Sequence, residues 1–365
     1  MGQCVSMVTC FEGLVNLTAS KSAIKEQAWY NNARMNYLNN NLPQDFIDRL
    51  PNIVPPAIFD TVMRSFSQLK PTTFRVNHLL PSSQEIIAIM KENNILISPI
   101  AWYEDAFSTT SSTRELTALS AFKEGKFYIQ GLSSMIPALV LNPSPDEIVL
   151  DIAAAPGSKT TQIASLMGNN GEIVANDLSR QRIFKLKANL KEQGVTNTTF
   201  SNIPGENLWR KYPEYFDKTL VDVPCSMEGR FNNNDSDSHK DWTLKKVKEL
   251  SHRQKYLLRG AITATKVGGT IVYSTCTLSP EENEEVIDWI LEKEGDAITI
   301  ESIEIKNLQL SPGLTLWGNQ TYDLSLKNTA RIYPSDTMEG FFIAKIHKNR
   351  STLTPEMFRP QKKRG

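Results

Sequence analysis

Two cysteines stand where predicted strands end. "TLVDVPCSMEG" closes one strand at Asp222–Cys225, and "GGTIVYSTCTLSPEENEEVIDWILEK" closes another just before Cys276. A strand-end cysteine is commonly a small buried hydrophobe. Two of them, with a carboxylate three residues before one, suggest nucleophilic chemistry, because a thiolate is the strongest nucleophile a side chain offers near neutral pH. The residues after Cys276 read as a helix start. Ser279 is placed as N-cap, Pro280 as the first helical residue and Glu282 as the partner of a capping box. A helix N-terminus so near Cys276 favours its thiolate, while Glu281 and Glu282 oppose that effect.

A third feature is predicted to face the same rim. "VLDIAAAPGSKTTQ" reads as a strand, a turn of small residues (Ala153, Ala154, Ala155, Pro156, Gly157, Ser158) and a helix entered through Lys159. Small residues let backbone approach a ligand, and the helix start offers unpaired N–H groups. The stretch is neither a P-loop, since Ser158 separates Gly157 from Lys159, nor a G-x-G-x-x-G motif. Asp177 ends the next predicted strand, placed to accept hydrogen bonds from ribose hydroxyls. These residues point to an adenosine-bearing ligand and leave NAD, FAD and S-adenosylmethionine open.

The elements that must position these groups alternate regularly from Glu147 onward. "EIVLDI", "GEIVAND", "FDKTLVDVP" and "GGTIVYST" are strands. "KTTQIASLM", "SRQRIFKLKANLKEQG" and "DWTLKKVKELSHRQKYLLRGAITAT" are helices, the last expected to be interrupted or to end near Gly260. This predicts an α/β domain with a doubly wound, mainly parallel sheet, whose ligands sit outside the carboxyl ends of the strands. "TTFRVNHLL", "ILISPIAWY" and "KFYIQG" are expected strands of a smaller N-terminal α/β region, with a helix capped near Ser83. Prolines break the helical spacing of "LPQDFIDRLPNIVPPAIFDTVMRSF". "NPSPDE" marks a linker. The division is residues 1–42, a weakly ordered extension; 43–143, a substrate domain; 144–348, the catalytic domain; and 349–365, a basic tail. "RFNNNDSDSHKD" (Arg230–Asp241) is polar enough to be expected mobile.

Composition sets outer limits. The 365 residues are 40% hydrophobic and 22% charged with zero formal net charge, which is globular usage. The four cysteines (Cys4, Cys10, Cys225, Cys276) form no disulfide framework or zinc motif and suggest a reducing compartment. No segment reaches the ~18 apolar residues of a membrane span, and no secretory signal is visible. "MGQCVS" matches the short myristoylation pattern, which arises often by chance. From Lys345 to Gly365 seven Lys/Arg face one acid, Glu356, a solvated tail or a weak phosphate-attracting one.

Together these residues resemble the Sun/Nop-type RNA (cytosine-5) methyltransferases over about Leu42 to His347. "DIAAAPGSKTTQ" is similar to the family's cofactor loop, "VANDLS" to its ribose-binding acid motif, "DVPCSMEG" to D-x-P-C-S-x-E-G, "STCTLSPEENE" to its S-T-C-T and E-E-N motifs, and "MEGFFIAKI" to its late strand. Upstream, "TTFRVNHL" and "GKFYIQGLSSMIPA" resemble the family's N-terminal R-x-N region and the entry to its catalytic domain. Within the family the chain resembles bacterial small-subunit rRNA enzymes, without room for the further C-terminal RNA-binding domain that some carry.

The resemblance implies a Rossmann-like class I methyltransferase fold, S-adenosyl-L-methionine as cofactor, and RNA (rRNA or tRNA) as partner. It implies a cytoplasmic monomer needing neither metal nor membrane. It makes Cys276 the nucleophile at cytosine carbon 6, Asp222 the group at the ring nitrogen, Cys225 the aid to product release and Lys159 the orienter of the base or of Asp222. The target base would have to be unpaired or flipped out. Arg182 and Asp222 join Ala153–Lys159 and Asp177 as cofactor-binding residues. Two departures stand out. Pro204 occupies the position of an adenine-contacting Asp, with Asn202 or Glu206 as substitutes, and Met227 replaces a glycine, where it is expected to narrow the base pocket. A catalytically weak RNA-binding or ribosome-assembly protein on the same fold is the alternative. A DNA cytosine-5 enzyme, which uses the Pro-Cys thiol, is a third reading.

Overall fold

The computed structural model describes residues 41–80 and 85–355. Cys4, Cys10, the MGQCVS pattern, the cap at Ser83 and the tail from 356 lie outside the described residues. The expected extension reaches them only at its end. There Leu42 is buried, and the Asn41 N–H donates to Asn233 Oδ1 at 2.7 Å.

Chain order explains how the rim is built. Strands β1 (Thr72–Val76), β2 (Ile97–Ile100), β3 (Tyr103–Thr109) and β4 (Phe127–Ile129) form an antiparallel sheet of order β2-β3-β1-β4. Its core of Phe74, Phe107 and Phe127 is closed by helices α3 (Ile86–Glu92), α4 (Thr113–Ala118) and α5 (Ser120–Lys123). Helices α1 (Gln44–Ile53) and α2 (Phe59–Ser65) precede it. They pack on the catalytic region instead. Phe46 lies edge-on to Phe231 and Trp242, with centroids 4.9 and 6.0 Å apart.

Helix α6 (Leu132–Leu141) then leads into β5 (Ile148–Asp151), α7 (Ser158–Met167), β6 (Glu172–Asn176), α8 (Arg180–Glu192), β7 (Thr198–Ser201), β8 (Phe216–Asp222), α9 (Leu244–Ala264), β9 (Thr265–Thr275) and α10 (Glu284–Glu294). Strands β10 (Ile298–Glu301), β11 (Ser311–Pro312), the β12 (Leu316–Trp317)–β13 (Gln320–Thr321) hairpin, β14 (Ala330–Ile332) and β15 (Phe341–Lys348) follow. The large sheet runs β11-β14-β15-β9-β8-β5-β6-β7, parallel from β9 to β7 and antiparallel where β15 meets β9. The chain winds outward from β5 through β6 to β7, then returns to β8 on the other side, so β5 and β8 flank the switch point where such sheets open a crevice.

Side-chain alternation builds both layers. Leu150, Val174, Val221, Ile271 and Phe342 face one core with α9 and α10, while Val149, Ile173, Leu220, Val272 and Ile343 face the other with α6 and α7. Helix α6 escapes a periodicity reading because nearly all of LSSMIPALVL is buried and Pro137 lies inside it.

Two expectations are corrected. Helix α9 does not end at Gly260 but continues to Ala264. A Cβ at Gly260 would lie 2.9 Å from Glu206 Cα, so the glycine lets the helix pack directly on the neighbouring turn. The Arg230–Asp241 loop is tied down at several points: the Asn233 N–H donates to Phe66 O at 2.8 Å, and Asn234 Nδ2 to Ser67 O at 3.1 Å.

Candidate active site

The cofactor loop is held from several sides. Thr160 Oγ1 donates to Asp151 Oδ2 at 2.7 Å and Asn189 Nδ2 to Pro156 O at 2.8 Å, while an Arg182 Nη donates to Ala155 O. The loop and β6 border a cavity of about 470 Å³ at the switch point, with Ala153, Asp177, Arg182, Glu206, Pro224 and Tyr256 on its wall. Of the residues expected to hold a cofactor, Ala153, Asp177 and Arg182 thus line the cavity directly. Ala154 and Ala155 are buried against α8, and Pro156, Gly157 and Ser158 carry the chain into α7. Asp177 is 2% exposed. Its Oδ1 accepts from the Ser179 N–H at 2.9 Å. Its Oδ2 lies 3.1 Å from Arg182 Nη1 yet makes no hydrogen bond; the distance suits an ion pair, but the N–H does not point at the oxygen.

The second half of the site lies beside β8 and β9. Cys225 Sγ and Cys276 Sγ are 3.3 Å apart. Asp222 pairs with Lys159 Nζ at 2.8 Å and accepts from Ser274 Oγ at 2.8 Å. Lys159 also donates to Ser134 Oγ at 2.9 Å and stands 5.6 Å from the Phe341 ring centroid. The structure therefore brings the four expected catalytic residues together as two adjoining pairs. Lys159 and Asp222 are absent from the cavity wall. The Cys225 thiol is held well above the ordinary thiol range, first by the Cys276 sulfur and then by burial. A neutral Cys225 S–H is thus available to donate to Cys276.

The capping box does not form. Ser279 Oγ donates to Glu228 Oε1 at 2.7 Å, and the Glu282 carboxyl turns inward to Ser226 and Gln254. The α-helix begins at Glu284 behind a 3₁₀ turn, Pro280–Glu282. The helix end is therefore farther from Cys276 than the sequence predicts. Tertiary partners captured both side chains because a buried polar group left unmatched costs more than a cap contributes.

Met227 is 42% exposed and is absent from the wall of the cavity. Its backbone sits at φ +60°, a left-handed conformation that suits glycine. Asn202, one substitute considered for the missing adenine-contacting acid, is occupied in donating to the Asp177 and Leu178 carbonyls at 2.7 and 2.8 Å. Glu206 lies on the cavity wall, in the first turn of the 3₁₀ helix that Pro204 begins.

The last glycine of DVPCSMEG has a steric cause. A Cβ on Gly229 would lie 2.2 Å from the Gly340 carbonyl oxygen. Gly229→Ala is expected to destabilise the fold by about 3 kcal/mol through overpacking, read as a lower thermal midpoint. A loss below about 0.5 kcal/mol, the range of ordinary surface changes, would show that the two backbones separate freely.

Several contributors escaped the sequence reading. Asp151 is buried, and burial first of all pushes its carboxyl up to about 7, with the Thr160 hydroxyl opposing. Arg75 and Asn77 of the R-x-N stretch are turned inward. Arg75 donates to Gln130 Oε1 (2.9 Å), Ser158 O (3.1 Å) and Thr161 Oγ1 (2.6 Å), and Asn77 to Gly125 O and Gln193 O, each at 2.9 Å. Arg75 clamps the small sheet to the start of α7, and Asn77 ties it to the end of α8. Only a fold that places β1 against α7 reveals this role.

The parallel sheet, its switch-point cavity and the loop joining β5 to α7 give the chain a Rossmann-like fold of the kind that S-adenosyl-L-methionine-dependent methyltransferases have. Residues 138–347 match the family described as 16S rRNA methyltransferase RsmB/F, and the chain belongs to that family. Ribosomal RNA small subunit methyltransferase F of Vibrio cholerae is 38% identical over 325 residues, covering 87% of this chain and 66% of that one. The protein of the same description from a Shewanella species is 37% identical over 330 residues, covering 86% and 65%. The chain thus spans just under two thirds of the length of these curated relatives. Among solved structures, a methyltransferase homolog from Pyrococcus horikoshii superposes with a TM-score of 0.75 at 32% identity, covering 86% of this chain and 97% of the other. NSun6 from Pyrococcus horikoshii, solved with SFG, reaches 0.74 at 24% identity over 86% of this chain and 100% of the other, and shares the fold.

Proposed function

We propose that this protein methylates carbon 5 of a cytosine in RNA, with small-subunit rRNA as the substrate class that its relatives' names favour. The carrying observation is the thiol pair, 3.3 Å apart, beside the Lys159–Asp222 ion pair. Asp177 Oδ2, a buried acceptor without a hydrogen-bond donor, suits a ribose hydroxyl, and the cavity suits a nucleoside-sized ligand. When bound, S-adenosylmethionine supplies the electrophilic methyl group. Asp177 would hold the ribose, with Arg182 and Ala153 on the same wall.

Cys276 Sγ forms a bond to carbon 6 of the cytosine, moving the ring's 5,6 electron pair toward carbon 5. Asp222, bridged to the Lys159 ammonium, relays a proton from that ammonium to the ring nitrogen that gains charge. Carbon 5, now nucleophilic, accepts the methyl group. Once Cys276 is bonded to carbon its sulfur no longer raises the Cys225 thiol. Cys225 releases its proton to solvent and, as thiolate, takes the carbon 5 proton. The carbon 6–sulfur bond breaks, the ring-nitrogen proton returns through Asp222 to Lys159, and Cys276 leaves as thiolate. The base must leave its stack to meet both thiols. Residues 43–143, the Arg230–Asp241 loop and the basic C-terminal residues are the proposed RNA-contacting parts, and the site of action is cytoplasmic. Among the described residues no helix is long and apolar enough to cross a membrane, and no cluster of three or more His, Cys, Asp or Glu is placed to hold a metal ion. The weak-catalyst alternative is not favoured, since Pro204 and Met227 leave all four reacting groups in place.

The test is transfer of a labelled methyl group to small-subunit rRNA, followed by nucleoside analysis. Label in 5-methylcytidine is expected. Label in another nucleoside, or no transfer, overturns the proposal. Asp177→Ala is expected to raise the KM for S-adenosylmethionine at least about tenfold, the worth of a charged hydrogen bond, with a smaller change in kcat. An unchanged KM would remove Asp177 from the cofactor site.

A further inference from the structure

Glu282 is fully buried and belongs to none of the four reacting groups. Its Oε2 accepts from the Ser226 N–H at 3.0 Å and from Gln254 Nε2 at 2.8 Å, and its Oε1 meets Ser226 Oγ. Gln254 Nε2 also donates to Pro224 O at 2.9 Å. The residues on both sides of Cys225 are therefore tied to one carboxyl group. The carboxyl is itself anchored, since the Glu282 carbonyl accepts from Tyr273 Oη at 2.6 Å. The neighbouring cation Arg49 pairs with Glu281 instead. Burial first, then the nearby Glu228, pushes the Glu282 carboxyl up to about 8. Ser226 Oγ donates to Glu282 Oε1 and shares a hydrogen bond with Thr277 Oγ1, 2.8 Å away on the Cys276 loop. Glu282 thus joins the two cysteine-bearing loops from beneath.

We propose that Glu282 is a positioning residue for the Cys225 thiol, so that it governs release of the methylated RNA more than formation of the covalent adduct. This rests on the function proposed above. Cys276 follows directly on β9, whose ladder ends at Thr275, and its carbonyl accepts from the Gly229 N–H at 3.0 Å. Cys225 lies in a loop of irregular backbone and takes its position from Glu282.

The experiment follows one turnover with labelled S-adenosylmethionine and rRNA, measuring denaturation-resistant adduct and freed methylated RNA separately. In Glu282→Ala, adduct is expected to persist at least about tenfold longer than in the wild type, because a small misplacement of a reacting group costs that much or more. Its formation should slow by less. Glu282→Gln should release RNA nearly as the wild type does: the amide oxygen keeps the bonds from Ser226 N and Gln254, and its N–H₂ donates to Ser226 Oγ. Ser226→Ala, a gentler change, should lengthen adduct lifetime to a lesser degree, and it decides the matter if Glu282→Ala does not fold. If formation and release slow in equal proportion, Glu282 is merely structural and the inference fails. It fails also if Glu282→Ala releases RNA at the wild-type rate while Cys225→Ala traps it. If Cys225→Ala traps no adduct, the proposed function of the site is what has failed.

Discussion

Cys276→Ala is expected to abolish methyl transfer, by a factor on the order of 10³ or more, the scale of losing a covalent nucleophile. Cys225→Ala is expected to behave differently. It should still add to the base and pass on one methyl group, and then remain bonded to the RNA through Cys276. Denaturing gel electrophoresis should show an RNA-shifted band with Cys225→Ala, little or none with the wild type, and none when Cys276→Ala is added. The asymmetry follows from the site. Both sulfurs are within 3.3 Å of each other, but Cys225 is held as a thiol by the neighbouring sulfur and by burial. Methyl transfer that survives Cys276→Ala would reassign the nucleophile to Cys225, the arrangement of the DNA enzymes.

The second large effect concerns folding. Arg331 and Glu284 are 1% and 0% exposed, and two guanidinium nitrogens each lie 2.5 Å from a carboxylate oxygen. Burial pulls the Arg331 pKa down, but the Glu284 charge and hydrogen bonds more than offset it and leave the pKa raised. Arg331 Nη1 also donates to Leu278 O at 2.9 Å, and the Leu314 N–H donates to Glu284 Oε1 at 2.9 Å. Glu284→Ala strands a buried guanidinium and should cost about 3–5 kcal/mol. In thermal unfolding that is a drop of roughly 5 °C. Glu284→Leu combined with Arg331→Met should recover most of the loss, because a well-packed apolar pair replaces a desolvated ionic one. A single-variant cost below about 1 kcal/mol, the value of an exposed pair, would mean that water reaches the guanidinium after all.

Most of the proposed catalytic constellation was readable because its members are strand-end residues in short local motifs. Asp222 and Cys225 follow directly from β8, and Cys276 from β9, so predicting those strands places them. The β5–α7 loop and Asp177 were readable for the same reason. The supporting shell was not. Ser279 and Glu282 have capping-box spacing, yet their partners Glu228, Ser226 and Gln254 are 28 to 56 residues away. Arg75 looked like part of a substrate domain until its hydrogen bonds to Ser158 and Thr161 showed where it points. Helices α1 and α2 share a core with Trp242 and Leu278, a pairing that no local pattern encodes. Local chemistry is written locally, while its scaffolding depends on which distant surfaces meet.

The stretch after Cys276 has a consequence for how this chain can change. Glu281 binds Arg49, Glu282 binds Ser226 and Gln254, Asn283 binds Thr275 and Thr277, and Glu284 binds Arg331. Four consecutive side chains thus reach in different directions to different parts of the fold. A substitution removes one of these attachments. An insertion or deletion of a single residue between Cys276 and Glu281 would shift the frame and remove all four together. Evolution can edit this segment letter by letter, but its length is fixed by the geometry that surrounds it.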